Sequence, residues 1–230
     1  QIVLEAGDYL RLHLHDDLMI SKKTGPTDLV TQMDQQVQKD LVEKITHRYP
    51  DDRIFAEEDG LRSPISEGSV WVIDPIDGTN NFVTQKEDFA VMVAYFEDGI
   101  GQFGLIYDVM RDHLFYGGGE FPVYRNEVEL TPFVDQPLEN FLIASNVGML
   151  EKNDWGMADL GMDSLGIRVY GSAGISFSKI LSGGILAYFS YIWPWDYAAA
   201  AIMGEQLGYT VLNLNGDKPN YQSVEPIMMV

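Results

Sequence analysis

Residues 70–82, VWVIDPIDGTNNF, put two carboxylates three positions apart directly after an apolar run. Val70, Trp71, Val72 and Ile73 read as a buried strand, so Asp74 falls where a sheet hands over to a loop, a common address for chemistry. Pro75 cannot donate to a strand ladder and fixes the exit of the chain. Asp77-Gly78-Thr79 reads as a helix start with Asp77 as its cap, which turns the backbone N–H groups of Gly78 and Thr79 outward toward an anion. Two carboxylates that converge repel each other unless a cation lies between them. Hard oxygen donors, with the Ile76 carbonyl as a further one, suit Mg²⁺ rather than Zn²⁺. An EF-hand loop is excluded, because the twelfth position counted from Asp74 is Gln85 and not a glutamate.

Two further acidic stretches bear on the same chemistry. FAEEDG places Glu57 and Glu58 at the end of another short strand, and WPWDYAAAA places Asp196 at the mouth of an alanine-rich helix between aromatic neighbours. Taken singly, each has a plain structural explanation: D-x-x-D-G makes a capped turn, an acidic pair is solvated, and an aspartate before a helix caps it. Three acidic strand or helix ends in one chain favour a shared cation site.

The elements that must position these groups follow from periodicity. Residues 2–19 read as one helix with Val3, Ala6, Leu10 and Leu14 on its face, and residues 21–31 (SKKTGPTDLVT) as loop. A second helix is expected over residues 32–48, striped by Met33, Val37, Leu41 and Ile45 and stopped by Pro50. Strands follow at 70–73, 89–96, 100–107 and 113–116, so the first half, residues 1–136, reads as helices on a largely antiparallel sheet carrying most of the acids. Residues 137–230 alternate: strand FLIAS, helix 147–165, strand IRVYGSAG into a small-residue turn, helix 175–181, strand ILAYFSYI, and helix 196–207 capped by Asp196. The two halves are expected to pack closely as one unit.

Composition narrows the partners. With 15 Lys and Arg against 35 Asp and Glu the net charge is −20, a field that repels nucleic-acid polymers. No apolar run reaches the roughly 18 residues of a membrane span. The absence of cysteine rules out disulfides and thiolate metal sites and suits a reducing, cytoplasmic setting. The chain opens without Met and in mid-helix, so the lack of a visible secretory signal carries little weight.

AEED, WVIDPIDGTNNF and PWDYAAA, preceded by K-x-x-x-x-D-L-V-T-x-x-D over residues 23–34, together resemble the inositol monophosphatase family of Mg²⁺-dependent, lithium-sensitive phosphatases, in its bacterial form. The resemblance runs over essentially the whole chain. It implies a layered α/β/α/β/α sandwich, a homodimer, and hydrolysis by a metal-activated water with two to three Mg²⁺ ions per site. On the positions of this sequence it implies that Glu57, Asp74 and the Ile76 carbonyl hold one ion and that Asp74, Asp77 and Asp196 hold a second. It further implies that Gly78 and Thr79 bind phosphate, that Thr79 and Glu57 orient and deprotonate water with Asp34 behind Thr79, that Ser172 and Ala173 line the pocket, and that Lys23 lies on a flap over it.

The substrate is the open point. Family members that prefer inositol phosphates carry a glutamate shortly before the WD pair, whereas AYFSYIWPWD offers Ser190 and no acid between Ser172 and Asp196. Tyr188, Phe189, Tyr191 and Trp193 make this stretch aromatic, suited either to stacking a nucleobase or to core and interface packing. The expected reaction is hydrolysis of a small sugar or nucleotide phosphate such as myo-inositol 1-phosphate, with the 2′-phosphate of NADP or 3′-phosphoadenosine 5′-phosphate as alternatives. A non-catalytic metal-binding descendant is disfavoured, because drift would be expected to break at least one of Glu57, Asp74, Asp77, Thr79 and Asp196.

Overall fold

In the computed structural model, which describes residues 1–17, 19–22 and 29–230, α1 (Ile2–Leu12) buries Val3, Ala6 and Leu10 at helical spacing. It stops well short of residue 19. Beyond Leu10 the inward positions offer only Leu14 among histidines, and Asp16 and Asp17 would crowd the negative end of the helix dipole. The segment expected to be loop carries instead a short antiparallel ladder between β1 (Ile20–Lys22) and β2 (Leu29–Thr31), with Ile20 opposite Thr31. Three-residue strands are too short to show a period. α2 (Gln32–Arg48) runs as its periodicity requires, and Thr31 caps it: the Thr31 Oγ1 accepts from the Met33 N–H at 3.0 Å while Asp34 accepts in return from the Thr31 N–H at 2.7 Å.

Seven strands then form one sheet in sequential order: β3 (Arg53–Ala56), β4 (Ser69–Asp77), β5 (Ala90–Glu97), β6 (Ile100–Asp108), β7 (His113–Gly118), β8 (Phe121–Arg125) and β9 (Val128–Glu129). Only β3 and β4 run parallel. β4 continues past Ile73 to Asp77 through a register shift between Asp74 and Asp77, so Pro75 sits at an irregularity where the missing N–H costs no ladder bond. α3 (Thr79–Thr84) follows, with Gly78 rather than Asp77 at its N-cap.

A second, five-stranded sheet has the order β11-β10-β12-β14-β13, built from β10 (Leu142–Ser145), β11 (Gly166–Arg168), β12 (Ala187–Ile192), β13 (Val211–Asn213) and β14 (Glu225–Met229). The first three are parallel, and β14 is antiparallel to both of its neighbours. The helix expected over residues 147–165 is two, α4 (Val147–Lys152) and α5 (Met157–Asp163). Asn153 breaks it: its backbone is left-handed at φ 50° and its Oδ1 accepts from the Ala158 N–H at 2.8 Å. α6 (Ala173–Leu181) and α7 (Pro194–Gln206) complete the chain's helices among the described residues.

Alternation along the strands sorts the core into layers. Trp71, Ile73, Val91 and Val93 face α1 and α2 with Val3, Leu10, Val37 and Leu41. Val72, Met92, Ala94 and Ile106 face the other way, into a core with Ile175 and Phe177 of α6 and Ala198 to Ala201 of α7, and Tyr188, Ile227 and Met229 close that core from the second sheet. Ile143, Ala187 and Phe189 point outward beneath Met149 and Met157 of α4 and α5. The order is therefore α/β/α/β/α, as the resemblance implies.

Candidate active site

β4 delivers Asp74 and Asp77 to the boundary between the seven-stranded sheet and the central helices, and the first turn of α7 delivers Asp196 to the same place. One carboxylate oxygen from each of the three lies within 4.8 Å of the others. Asp196 is not the cap expected of it: it stands in the third position of α7, and its Oδ2 accepts from the Trp193 N–H at 2.7 Å. Pro194 begins that helix, where a missing N–H is harmless. Glu57 leaves the end of β3, its N–H held by the Ile73 carbonyl at 3.1 Å, while the neighbouring Glu58 N–H donates to the Gln38 Oε1 at 2.7 Å.

Asp77 does not cap α3; it receives the start of α6. The Ala173 N–H reaches its Oδ1 at 3.0 Å, the Gly174 N–H reaches its Oδ2 at 2.7 Å, and the Ser172 hydroxyl donates to the same Oδ2. A carboxylate at a helix N-terminus is stabilised by those donors and by the dipole. Gly78 is required beside it: its φ is 89°, and a Cβ there would lie 2.9 Å from the Ser172 Cβ.

The electrostatics are those of an unneutralised acid cluster. Burial pushes Asp74 well above the ordinary carboxylate value, and the charges of Glu57, Asp77 and Asp196 push it further. Asp196 is raised first by burial and then by Asp77 and Glu57, so all four carboxylates act on one spot. Burial raises Asp77 as well, against the three donors of α6 that lower it. Two buried acids and a half-buried third, crowded together, are stable only with protons or a cation among them. The donors are oxygens alone, in a chain without cysteine, which fits a hard divalent cation such as Mg²⁺.

Thr79, at the first position of α3, turns its hydroxyl toward Asp34 Oδ1 at 2.9 Å and the Ile76 carbonyl at 3.1 Å. The other Asp34 oxygen takes the Thr31 hydroxyl at 2.6 Å as well as its N–H, so the cap of α2 holds Asp34 against Thr79. Both partners only accept, so the one Thr79 proton serves them, Asp34 at the shorter distance, and the oxygen lone pairs are left for a water.

Beside Asp77 and Asp196 opens a cleft of about 320 Å³, with Ser172, Ala173, Ser176, Tyr188 and Ser190 among its lining. The aromatic stretch is split by strand alternation. Phe189 is core, Tyr188 is buried with its hydroxyl between Ser190 and Ser176, Tyr191 reaches the cleft, and Trp193 stacks on Trp195 at 4.8 Å. Asn146 was not singled out by its residue type, yet it lines the cleft and donates through Nδ2 to the Ser190 Oγ at 3.1 Å. Its place as an N-cap between a strand and α4 is the signal that could have found it. Lys23 lies outside the described residues.

Comparison with known proteins bears on this geometry. A model described as the inositol monophosphatase family matches residues 1–229. The chain is 36% identical to the inositol-1-monophosphatase of Bacillus subtilis (strain 168), over 94% of this chain and 83% of that protein. A crystal structure of 2′AMP-bound SaIMPase-II superposes with a TM-score of 0.89 at 30% identity, covering 99% of this chain and 86% of the other, and another structure of SaIMPase-II holds inositol monophosphate. An IMPase/NADP phosphatase complexed with Mg²⁺ and phosphate gives a TM-score of 0.90 at 25% identity, covering 98% and 86%.

Proposed function

Because the chain belongs to the inositol monophosphatase family, whose members are phosphatases that hydrolyse phosphomonoesters, we propose that it removes phosphate from a small polyol monoester, myo-inositol 1-phosphate first, using Mg²⁺ held by Glu57, Asp74, the Ile76 carbonyl, Asp77 and Asp196. The observation that carries this reading is the convergence of three carboxylates within 4.8 Å at the mouth of a cleft. Two to three ions per site would match that much negative charge. Bound there, Mg²⁺ supplies positive charge for the phosphoryl oxygens and acidifies water, and so reverses the local field of a protein of charge −20.

The protein's own groups then have distinct tasks. Asp34 keeps the Thr79 hydroxyl oriented so that its oxygen accepts a hydrogen bond from one O–H of the water, and Glu57 takes the water's other proton as general base. The first-turn amides at Gly78 and Thr79 face the phosphate, since an opening helix turn has no internal partner for them. Ser172 and Ala173 border the leaving group, while Asn146 and Ser190 offer it hydrogen bonds. Lys23 would add charge from the flap side.

A second substrate, a nucleotide 2′- or 3′-phosphate such as NADP or 3′-phosphoadenosine 5′-phosphate, is favoured by the 2′AMP and NADP phosphatase relatives and by Tyr191 at the cleft. We also read the chain as two packed lobes dividing near residue 136, as a cytoplasmic homodimer, and as lithium-sensitive. The family resemblance supports these readings, and among the described residues no helix is long and apolar enough to cross a membrane.

Phosphate release from inositol 1-phosphate, NADP, 3′-phosphoadenosine 5′-phosphate and fructose 1,6-bisphosphate, at fixed Mg²⁺ with and without lithium, tests the proposal. The expected result is Mg²⁺-dependent, lithium-inhibited release, fastest from inositol 1-phosphate. A preference for NADP or 3′-phosphoadenosine 5′-phosphate would select the second substrate, and silence across the panel with Mg²⁺ still bound would overturn the catalytic reading.

A further inference from the structure

Glu57 and Asp196 come from opposite halves of the chain, and one side chain touches both neighbourhoods, the backbone of the first and an indole ring of the second. Arg62 follows the tight excursion after β3, where the Ala56 N–H meets the Leu61 carbonyl at 2.9 Å and Arg62 bridges back to Phe55. From there its guanidinium donates to the Ala56 carbonyl, to the Glu57 carbonyl at 3.1 Å and to the Leu61 carbonyl at 3.0 Å. The face of the same group lies 4.5 Å from the centre of the Trp195 ring and 5.6 Å from that of Phe55. Trp195 is buried, packs on Phe55 at 5.6 Å, and is stacked nearly parallel to Trp193. Trp193 in turn gives its N–H to Asp196.

We propose that Arg62 is a positioning residue that ties the strand end carrying Glu57 to the helix start carrying Asp196, so that both carboxylates are presented together to Mg²⁺. The inference rests on the assignment of those two residues as ligands. A guanidinium suits the task because its fixed planar fork spans several carbonyls while its face stays on an indole. An ammonium keeps the charge but has neither the fork nor the face, so Arg62→Lys separates position from charge. Groups that orient metal ligands change affinity by about tenfold or more when removed.

Mg²⁺ binding to the whole protein, followed by isothermal titration calorimetry without substrate, is the test, alongside kcat and the Mg²⁺ concentration for half-maximal rate. Arg62→Lys, Arg62→Ala and Trp195→Leu are each expected to raise the Mg²⁺ dissociation constant by about tenfold. Their kcat at saturating Mg²⁺ should stay close to that of the parent, and the Arg62→Lys/Trp195→Leu pair should cost no more than either change alone. Wild-type affinity in Arg62→Lys with weak binding in Arg62→Ala would show a role for charge only and overturn the proposal. Additive losses in the pair would overturn it too, since the two groups would then act separately. Asp74→Asn is the control: if it leaves Mg²⁺ binding intact, the ligand assignment itself is at fault, whereas lost binding there with intact binding in Arg62→Lys rejects only the role of Arg62. Melting in EDTA shows that each variant is folded, and should Trp195→Leu not fold, Arg62→Lys decides alone.

Discussion

At the scale of single residues, the buried Asp74 and Asp77 and the half-buried Asp196 are like charges crowded together, and without a cation they work against the fold. The folded-state pKa of Asp74 lies well above its ordinary value of 3.8, as does that of Asp196, so the folded protein keeps protons that the unfolded chain has released. The contribution of these two groups to the stability of the metal-free protein is thus fullest below the ordinary carboxylate value and is lost as pH rises through the raised one. Thermal melts in EDTA should fall as pH rises above the ordinary carboxylate value, and Asp74→Asn should raise the melting temperature and flatten that slope while removing Mg²⁺ binding. A flat wild-type profile, or an Asp74→Asn variant less stable than the parent in EDTA, would contradict this account.

Among elements, α7 decides where Asp196 stands, and it lies directly on β6: a Cβ at Gly104 would come 2.3 Å from the Ala199 carbonyl oxygen. The small residues Ala198 to Ala201 allow that approach. Gly104→Ala should therefore force helix and strand apart, costing about 1–3 kcal/mol in urea unfolding and weakening Mg²⁺ binding from a distance. Unchanged stability would mean that the contact relaxes freely. Such contacts are where the sequence was least readable. α2 could be bounded from Met33, Val37, Leu41, Ile45 and Pro50 because its signals are local, and Asp74, Glu57 and Asp196 stood out because each acid interrupts or ends an apolar element. Asp77 pairs with Ser172 across 95 positions, Arg62 meets Trp195 from a distant part of the chain, and Gly104 faces α7, none of which leaves a periodic trace. Short ladders such as β1 with β2, and the break at Asn153, escaped for the opposite reason: too few residues carry the signal.

For the molecule as a whole, a charge of −20 opposes compaction, and any salt relieves it by screening. On the proposed function Mg²⁺ should do more, because it would bind the folded acid cluster and not the dispersed acids of the unfolded chain. Ligand linkage gives about 2.7 kcal/mol of added stability at a hundred times the dissociation constant, rising logarithmically thereafter. Screening has a different form, since it saturates as the Debye length falls below about 10 Å near 0.1 M salt. Melting in MgCl₂ should accordingly exceed melting in NaCl of equal ionic strength, and the excess should vanish in Asp74→Asn. Equal curves in the two salts would leave only diffuse screening and no cation bound between the two halves of the chain.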